Sequence, residues 1–186
     1  MRLTHLISGT DVRGVAMGER AELTAEAAER IAAAFTRWLA GNQDKENLRI
    51  GVGMDSRLTG PALKDAVIRG ASGAGAAVFD CGLASTPAMF MSTVTEDYAY
   101  DGAIMVTASH LPPERNGMKF FTPAGGIDKP DLIAILDIGE SGEDLGAGEP
   151  GQVGESDFMD TYCALLADKV RKALGEDTPL SGTHIV

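Results

Sequence analysis

Residues 48–79 read LRIGVGMDSRLTGPALKDAVIRGASGAGAAVF, and this stretch decides the fold class. Leu48 to Met54 is a short apolar run, the pattern of a buried strand. It stops at Asp55-Ser56-Arg57, and Pro61 follows where a helix tolerates proline, in its first turn. Leu63, Ala66, Val67 and Gly70 continue one helix face, Gly73-Ala74-Gly75 ends it, and Ala76 to Phe79 is a second strand. Strand, helix and strand in that order form a βαβ unit, which implies parallel pairing.

The alternation extends in both directions. Thr24 to Leu39 carries Ala27, Ile31, Ala34, Phe35, Trp38 and Leu39 at helical spacing, with Glu26 and Glu29 early and Gly41 placed to close the helix. Pro87 opens a helix through Met89, Phe90 and Val94. Gly102 to Val106 is a strand, Met118 to Phe121 a shorter one, and Asp131 to Ile138 a short helix. The expected fold is α/β: a three-layer α/β/α domain over residues 1–139, with a mostly parallel mixed sheet. Residues 139–154, GESGEDLGAGEPGQVG, show no apolar period, which predicts an interdomain linker over 140–154. Phe158, Tyr162, Leu165, Leu166, Val170 and Leu174 then mark an amphipathic helix, and Thr183-His184-Ile185-Val186 reads as a strand opening. Residues 155–186 are thus expected to be the first helix and strand start of a truncated second domain.

Composition excludes several classes. Sixteen basic residues against 27 acidic ones give a net charge of −11, without the basic footprint that nucleic acid demands. A phosphate-bearing substrate would therefore be captured by local cations against the field of the whole chain. No apolar stretch approaches the roughly 20 residues of a membrane helix. The apolar part of the N-terminus is too short for a signal peptide, so a cytoplasmic protein is expected. Cys81 and Cys163 lack metal-type spacing and are expected as free thiols.

In parallel sheets, ligands sit beyond the carboxyl ends of the strands. Two loops lie there, Asp55-Ser56-Arg57 and residues 107–119, TASHLPPERNGMK. Gly51-Val52-Gly53 starts a dinucleotide fingerprint, but the third glycine position holds Ser56, so the motif fails. A hydrolase elbow needs glycines two residues either side of its serine, and Ser109 has Thr107 and Leu111 instead. His110, adjacent in sequence, is poorly placed as its base. A rigid polar turn containing Pro112 and Pro113 is the plain structural alternative. Cations tip the balance: Arg115 and Lys119 follow Ser109 closely, with Asn116-Gly117 expected to turn Lys119 back toward the loop. Ser8 to Gly14 adds Arg13 among small residues. A serine ringed by Arg and Lys suits phosphoryl chemistry, because arginine matches phosphate bidentately.

Three stretches in order carry a resemblance: Thr10-Asp11-Val12-Arg13-Gly14, Gly53-Met54-Asp55-Ser56-Arg57, and Thr107-Ala108-Ser109-His110 running to Asn116-Gly117-Met118-Lys119, with Thr86-Pro87 between the last two. The chain resembles the N-terminal domain of the α-D-phosphohexomutase superfamily, over about residues 8 to 139. The resemblance implies an enzyme interconverting hexose 1-phosphate and hexose 6-phosphate through a phosphoserine and a hexose 1,6-bisphosphate. It makes Ser109 the phosphoryl carrier, whose phosphate also gives one ligand to Mg²⁺. Lys119 and Arg13 become acid–base and charge-stabilising residues, His110 a helper at the sugar oxygens, and Thr10 and Arg13 substrate contacts. Asp55, Arg57 and Asn116 become supports of the loop. The partners implied are a phosphorylated hexose and the remaining domains of a full-length chain.

Leu111 departs from the family, which commonly has Asn after the histidine. No Asp-x-Asp-x-Asp metal cluster occurs either, so the rest of the active site is expected in later domains. The short spacing of Asp11-Val12-Arg13-Gly14 resembles the phosphomannomutase and phosphoglucomutase type rather than the phosphoglucosamine type. A phosphatase using the same serine and a non-catalytic phosphate-binding scaffold are the alternatives.

Overall fold

Gly102–Val106 is buried at all five positions, which requires a strand covered on both faces. The structure, a computed structural model, describes residues 1–146 and 149–184. In chain order the elements are β1 (Ile7–Ser8), β2 (Asp11–Val15), α1 (Ala25–Gln43), β3 (Arg49–Met54), α2 (Gly60–Gly73), β4 (Ala77–Leu83), α3 (Thr86–Val94), β5 (Gly102–Val106), β6 (Arg115–Thr122), β7 (Gly125–Gly126), α4 (Lys129–Glu140), β8 (Val153–Glu155) and α5 (Phe158–Leu174).

The strands form one sheet in the order β1-β2-β6-β5-β3-β4-β8, with β7 on β6. β5, β3, β4 and β8 are mutually parallel. β6 runs against β5, and β2 and β7 run against β6. Only β1 and β6 therefore point the other way, and the expected mostly parallel mixed sheet is observed. Side chains alternate across it. Ile104 and Val106 join the core formed with α1, α2 and α4, whereas Ala103 and Met105 join the core beneath α3 and α5. The three layers follow from that alternation.

Local chemistry explains the helix starts. Thr24, Ser85 and Asp128 each accept a backbone N–H as N-caps, and Asp128 with Asp131 completes a capping box. Gly41 does not end α1; the helix runs through it, and Asp44 takes the left-handed cap conformation at φ 50°. α1 and α2 approach closely because Gly70 has no side chain: a Cβ there would lie 2.0 Å from the Glu29 carbonyl oxygen.

Two expectations change. Asn116-Gly117 is not a turn but part of β6; the chain reverses within 107–115, so β6 starts three residues earlier than its apolar run. Residues 140–154 contain more structure than their composition indicates. Arg37 donates to the carbonyls of Leu145 and Gly146, Leu145 is buried, and Val153–Glu155 adds β8 beside β4. A single strand pairing supplies the order that apolar periodicity does not. α5 anchors through Phe158, packed edge-on against Tyr98, while Leu165, Leu166, Val170 and Leu174 are exposed. Thr183 and His184 carry no strand, and Ile185 and Val186 lie outside the described residues. No helix among the described residues is long and apolar enough to cross a membrane.

Gly70→Ala should destabilise the chain by about 2–3 kcal/mol in urea unfolding, the cost of overpacking against backbone. Burial pushes the Cys81 thiol up from 9.0 to about 11, so the folded state keeps a proton that the unfolded state loses. Stability is accordingly full below pH 9 and should fall as pH rises toward 11, with Cys81→Ala flattening that part of a urea-midpoint profile.

Candidate active site

At the carboxyl ends of β3 and β5, one guanidinium organises the loop after β5. Arg57 donates from Nη1 to the carbonyls of Pro112 and Arg115, both at 2.9 Å, and from Nη2 to those of Ser109 and Leu111, both at 2.8 Å. Asp55 holds the other side: its carboxylate lies 3.4 Å from Arg57 Nε and accepts the Thr107 hydroxyl at 2.6 Å. Thr107 Oγ1 in turn accepts the Ser109 N–H at 2.9 Å. Asp55 itself is tied to β5 through its N–H on the Val106 carbonyl. The two strand-end loops thus form one unit.

That unit holds Ser109 at φ 58°, left-handed backbone that non-glycine residues rarely adopt. The serine is exposed, and its hydroxyl lies 3.3 Å from His110 Nδ1. Leu111 contributes its carbonyl to Arg57 and its N–H to Ala108, while its side chain lines an open groove of about 300 Å³ with Ser56, Arg57, Leu58 and Pro113. Asn116 is fully buried, donating to Thr59 Oγ1 at 2.9 Å and accepting the Gly117 N–H at 2.8 Å. It ties β6 to the start of α2.

A second cluster lies on the sheet surface beside this loop. β2 pairs with β6 so that Arg13 faces Gly117 and Val12 faces Met118. Odd-numbered residues of both strands therefore share one face, and Met118 and Val12 turn into the core on the other. On the shared face Asp11 Oδ2 accepts Lys119 Nζ at 2.5 Å and Arg13 Nη2 at 2.8 Å. Gly117 makes room: a Cβ there would lie 2.8 Å from the Thr107 carbonyl oxygen and 3.1 Å from Arg13 Cγ. Two cations on one carboxylate leave net positive charge in a chain of −11.

The structure brings Ser109, His110, Asp55 and Arg57 into one bonded unit, and Arg13 and Lys119 into another. Thr10 sits exposed in the β1–β2 turn, next to Asp11. Asp11, buried and bonded to both cations, was not among the expected site residues. The strand alternation Asp11-Val12-Arg13 would have identified it, but β2 is only five residues long and contains Gly14, which conceals it in the sequence. Among the described residues no group of three or more His, Cys, Asp or Glu is gathered for a metal ion.

Residues 5–144 match the family model described as phosphoglucomutase/phosphomannomutase, alpha/beta/alpha domain I. A Thermococcus kodakarensis phosphoglucomutase/phosphomannomutase is 35% identical over 162 residues, 86% of this chain and 34% of that protein. A Ruminiclostridium cellulolyticum phosphoglucosamine mutase is 40% identical over 152 residues, 80% of this chain and 31% of its own. A solved phosphoglucomutase/phosphomannomutase family protein from Burkholderia thailandensis superposes with a TM-score of 0.76 at 26% identity, over 90% of this chain and 36% of that one. The chain spans about a third of the length of the curated relatives it matches.

Arg57→Lys should loosen the serine loop, since hydrogen bonds to a charged group are worth about 1.5–3 kcal/mol each. Amide exchange at Leu111 and Arg115 should accelerate at least roughly tenfold, the equivalent of losing one such bond. Gly117→Ala should cost about 2 kcal/mol or more in denaturant unfolding, because its Cβ would meet the carbonyl oxygens of Val12 in β2 and of Thr107 just past β5. Matching residues 5–144 to the family model, with relatives on both sequence and structure, shows that the chain belongs to the phosphoglucomutase/phosphomannomutase family and carries its α/β/α domain I.

Proposed function

We propose that this chain is the N-terminal, phosphoserine-bearing part of a phosphohexomutase. The observation that carries the reading is Ser109, held exposed in left-handed backbone by Arg57 and Asp55, beside the cations on Asp11. A backbone conformation of this kind costs energy and recurs at active sites as well as at helix caps such as Asp44. Here Ser109 is exposed, with its hydroxyl 3.3 Å from His110 Nδ1.

In the proposed reaction the phosphoryl group on Ser109 passes to the free hydroxyl of a hexose monophosphate. The P–O bond to serine breaks as a P–O bond to the sugar forms, giving a hexose 1,6-bisphosphate. The sugar's other phosphoryl group then returns to Ser109, completing the exchange between hexose 1-phosphate and hexose 6-phosphate. Such transfers ask a protein mainly for positioning and charge neutralisation. Lys119 exchanges the proton of the sugar hydroxyl, Arg13 neutralises the transferring group, and His110 and Thr10 contact the sugar side. Asp11 positions Lys119 and Arg13 through a shared oxygen. Asp55, Arg57 and Asn116 hold the framework.

Mg²⁺ fits this reading in part. A phosphorylated Ser109 offers hard oxygens that suit the ion, and bound Mg²⁺ would neutralise phosphate charge there. The described residues supply no further cluster, so its carboxylate ligands belong to later domains in this proposal. The sugar is a mannose or glucose phosphate on the spacing of Asp11-Val12-Arg13-Gly14. The relatives include phosphoglucosamine mutases, so overall identity does not choose among the sugars. The site is proposed to work in the cytoplasm. Leu111 holds the loop through its backbone N–H and carbonyl, bonds that do not depend on its side chain.

Intact-mass analysis of the full-length protein should show one phosphoryl group on Ser109, removed by excess glucose or mannose 1-phosphate and absent in Ser109→Ala. Inorganic phosphate released without isomerised sugar would instead establish a phosphatase, and a serine never phosphorylated would sink both readings. The 186-residue chain alone should give no turnover of hexose phosphate in a coupled assay.

A further inference from the structure

Arg115 stands apart from the other partly buried arginines. Arg13 pairs with Asp11, Arg30 donates to the Gly139 carbonyl, Arg49 lies over the Phe79 and Tyr100 rings, and Arg57 holds its four carbonyls. The guanidinium of Arg115 has no hydrogen-bond or ion-pair partner among the described residues, and its Nε is buried. A buried, unpaired donor on a charged group costs free energy unless something fills the place.

Its position says what kind of group would do so. Arg115 opens β6 opposite Val15, so by strand alternation it shares a face with Arg13, Gly117 and Lys119. Its backbone is bound into the serine loop: Arg57 grips the Arg115 carbonyl with one terminal nitrogen and the Ser109 carbonyl with the other. Arg13 Nε on the same face is also buried without a partner. Three cations against the single carboxylate of Asp11 leave an excess of positive charge on this face, with arginine donors free. A phosphoryl dianion has the charge and the oxygen acceptors to satisfy them.

We propose that Arg115 is a counter-cation of the phosphoryl group carried by Ser109, binding its oxygens through the guanidinium that the protein leaves unpartnered. The proposal rests on the reading of Ser109 as a phosphoserine and adds a binding residue to it. Arg115 holds the dianion at the loop base, where Arg57 cannot, because Arg57 spends its terminal nitrogens on carbonyls.

The test installs phosphoserine at position 109 during translation and follows its titration by ³¹P NMR, in the parent protein and in Arg115→Gln. The second pKa of phosphoserine is ordinarily about 6. The parent should titrate below that, and Arg115→Gln should raise the value by about one unit, the effect of removing a close opposite charge. Arg115→Lys should keep part of the depression. Identical titrations of parent and Arg115→Gln would overturn the proposal. Should Arg115→Gln not fold, the parent suffices: its Arg115 Nε–H resonance must move with the phosphoserine titration, and an unmoved resonance rejects the contact. Native Ser109 found unphosphorylated by mass would reject the phosphoserine reading without altering the Arg115 measurement.

Discussion

The site depends on one interaction, the grip of Arg57 on four carbonyls of the loop after β5. A loop that turns sharply at a strand end presents carbonyls that no ladder satisfies. Guanidinium answers this with several donors fixed in one plane, and lysine cannot reproduce that geometry. Asp55 completes the arrangement by fixing Arg57 from behind and Thr107 from the side. Ser109 sits in left-handed backbone with its own N–H on Thr107 Oγ1 and its carbonyl on Arg57.

The sheet supplies what the loop does not. β6 returns antiparallel beside β5, so its first residues emerge at the edge where the parallel strands end. β2 pairs with β6 and brings Asp11 and Arg13 to the same place from the far end of the sequence. Gly117 lets the strands and the Arg13 side chain pass close to Thr107. Local positive charge on an acidic chain is then a matter of register: Asp11, Arg13, Arg115 and Lys119 meet because odd positions of two paired strands face one way. A one-residue slip would turn all of them into the core.

The βαβ reading, the three layers and the serine loop were legible because apolar periodicity and proline placement are local signals. Thr24, Pro61 and Pro87 mark helix starts through short-range hydrogen bonding or a fixed φ, whereas α4 begins at Lys129, two residues before the Asp131 that its apolar run indicates. β2 and β8 were not legible: both are short and contain a glycine, Gly14 and Gly154, and their order comes from partners distant in sequence. The Asn116-Gly117 pair illustrates the limit. Asn-Gly favours a turn locally, yet Asn116 is buried on Thr59 and Gly117 passes between two strands. Tertiary packing overrode the local preference.

By itself the sequence determined that an α/β sheet would form, which strand ends would carry polar loops, and that Ser109, Arg13 and Lys119 were the residues to watch. Only the tertiary structure decided how they are held. It joined Arg57 to the serine loop, gave Arg13 and Lys119 a common carboxylate in Asp11, and left Arg115 without a partner. The physical reason is range: helix and strand signals act over a few neighbours, whereas the Arg57–Ser109 and Lys119–Asp11 contacts join residues 52 and 108 apart, fixed only once the strands pair in register.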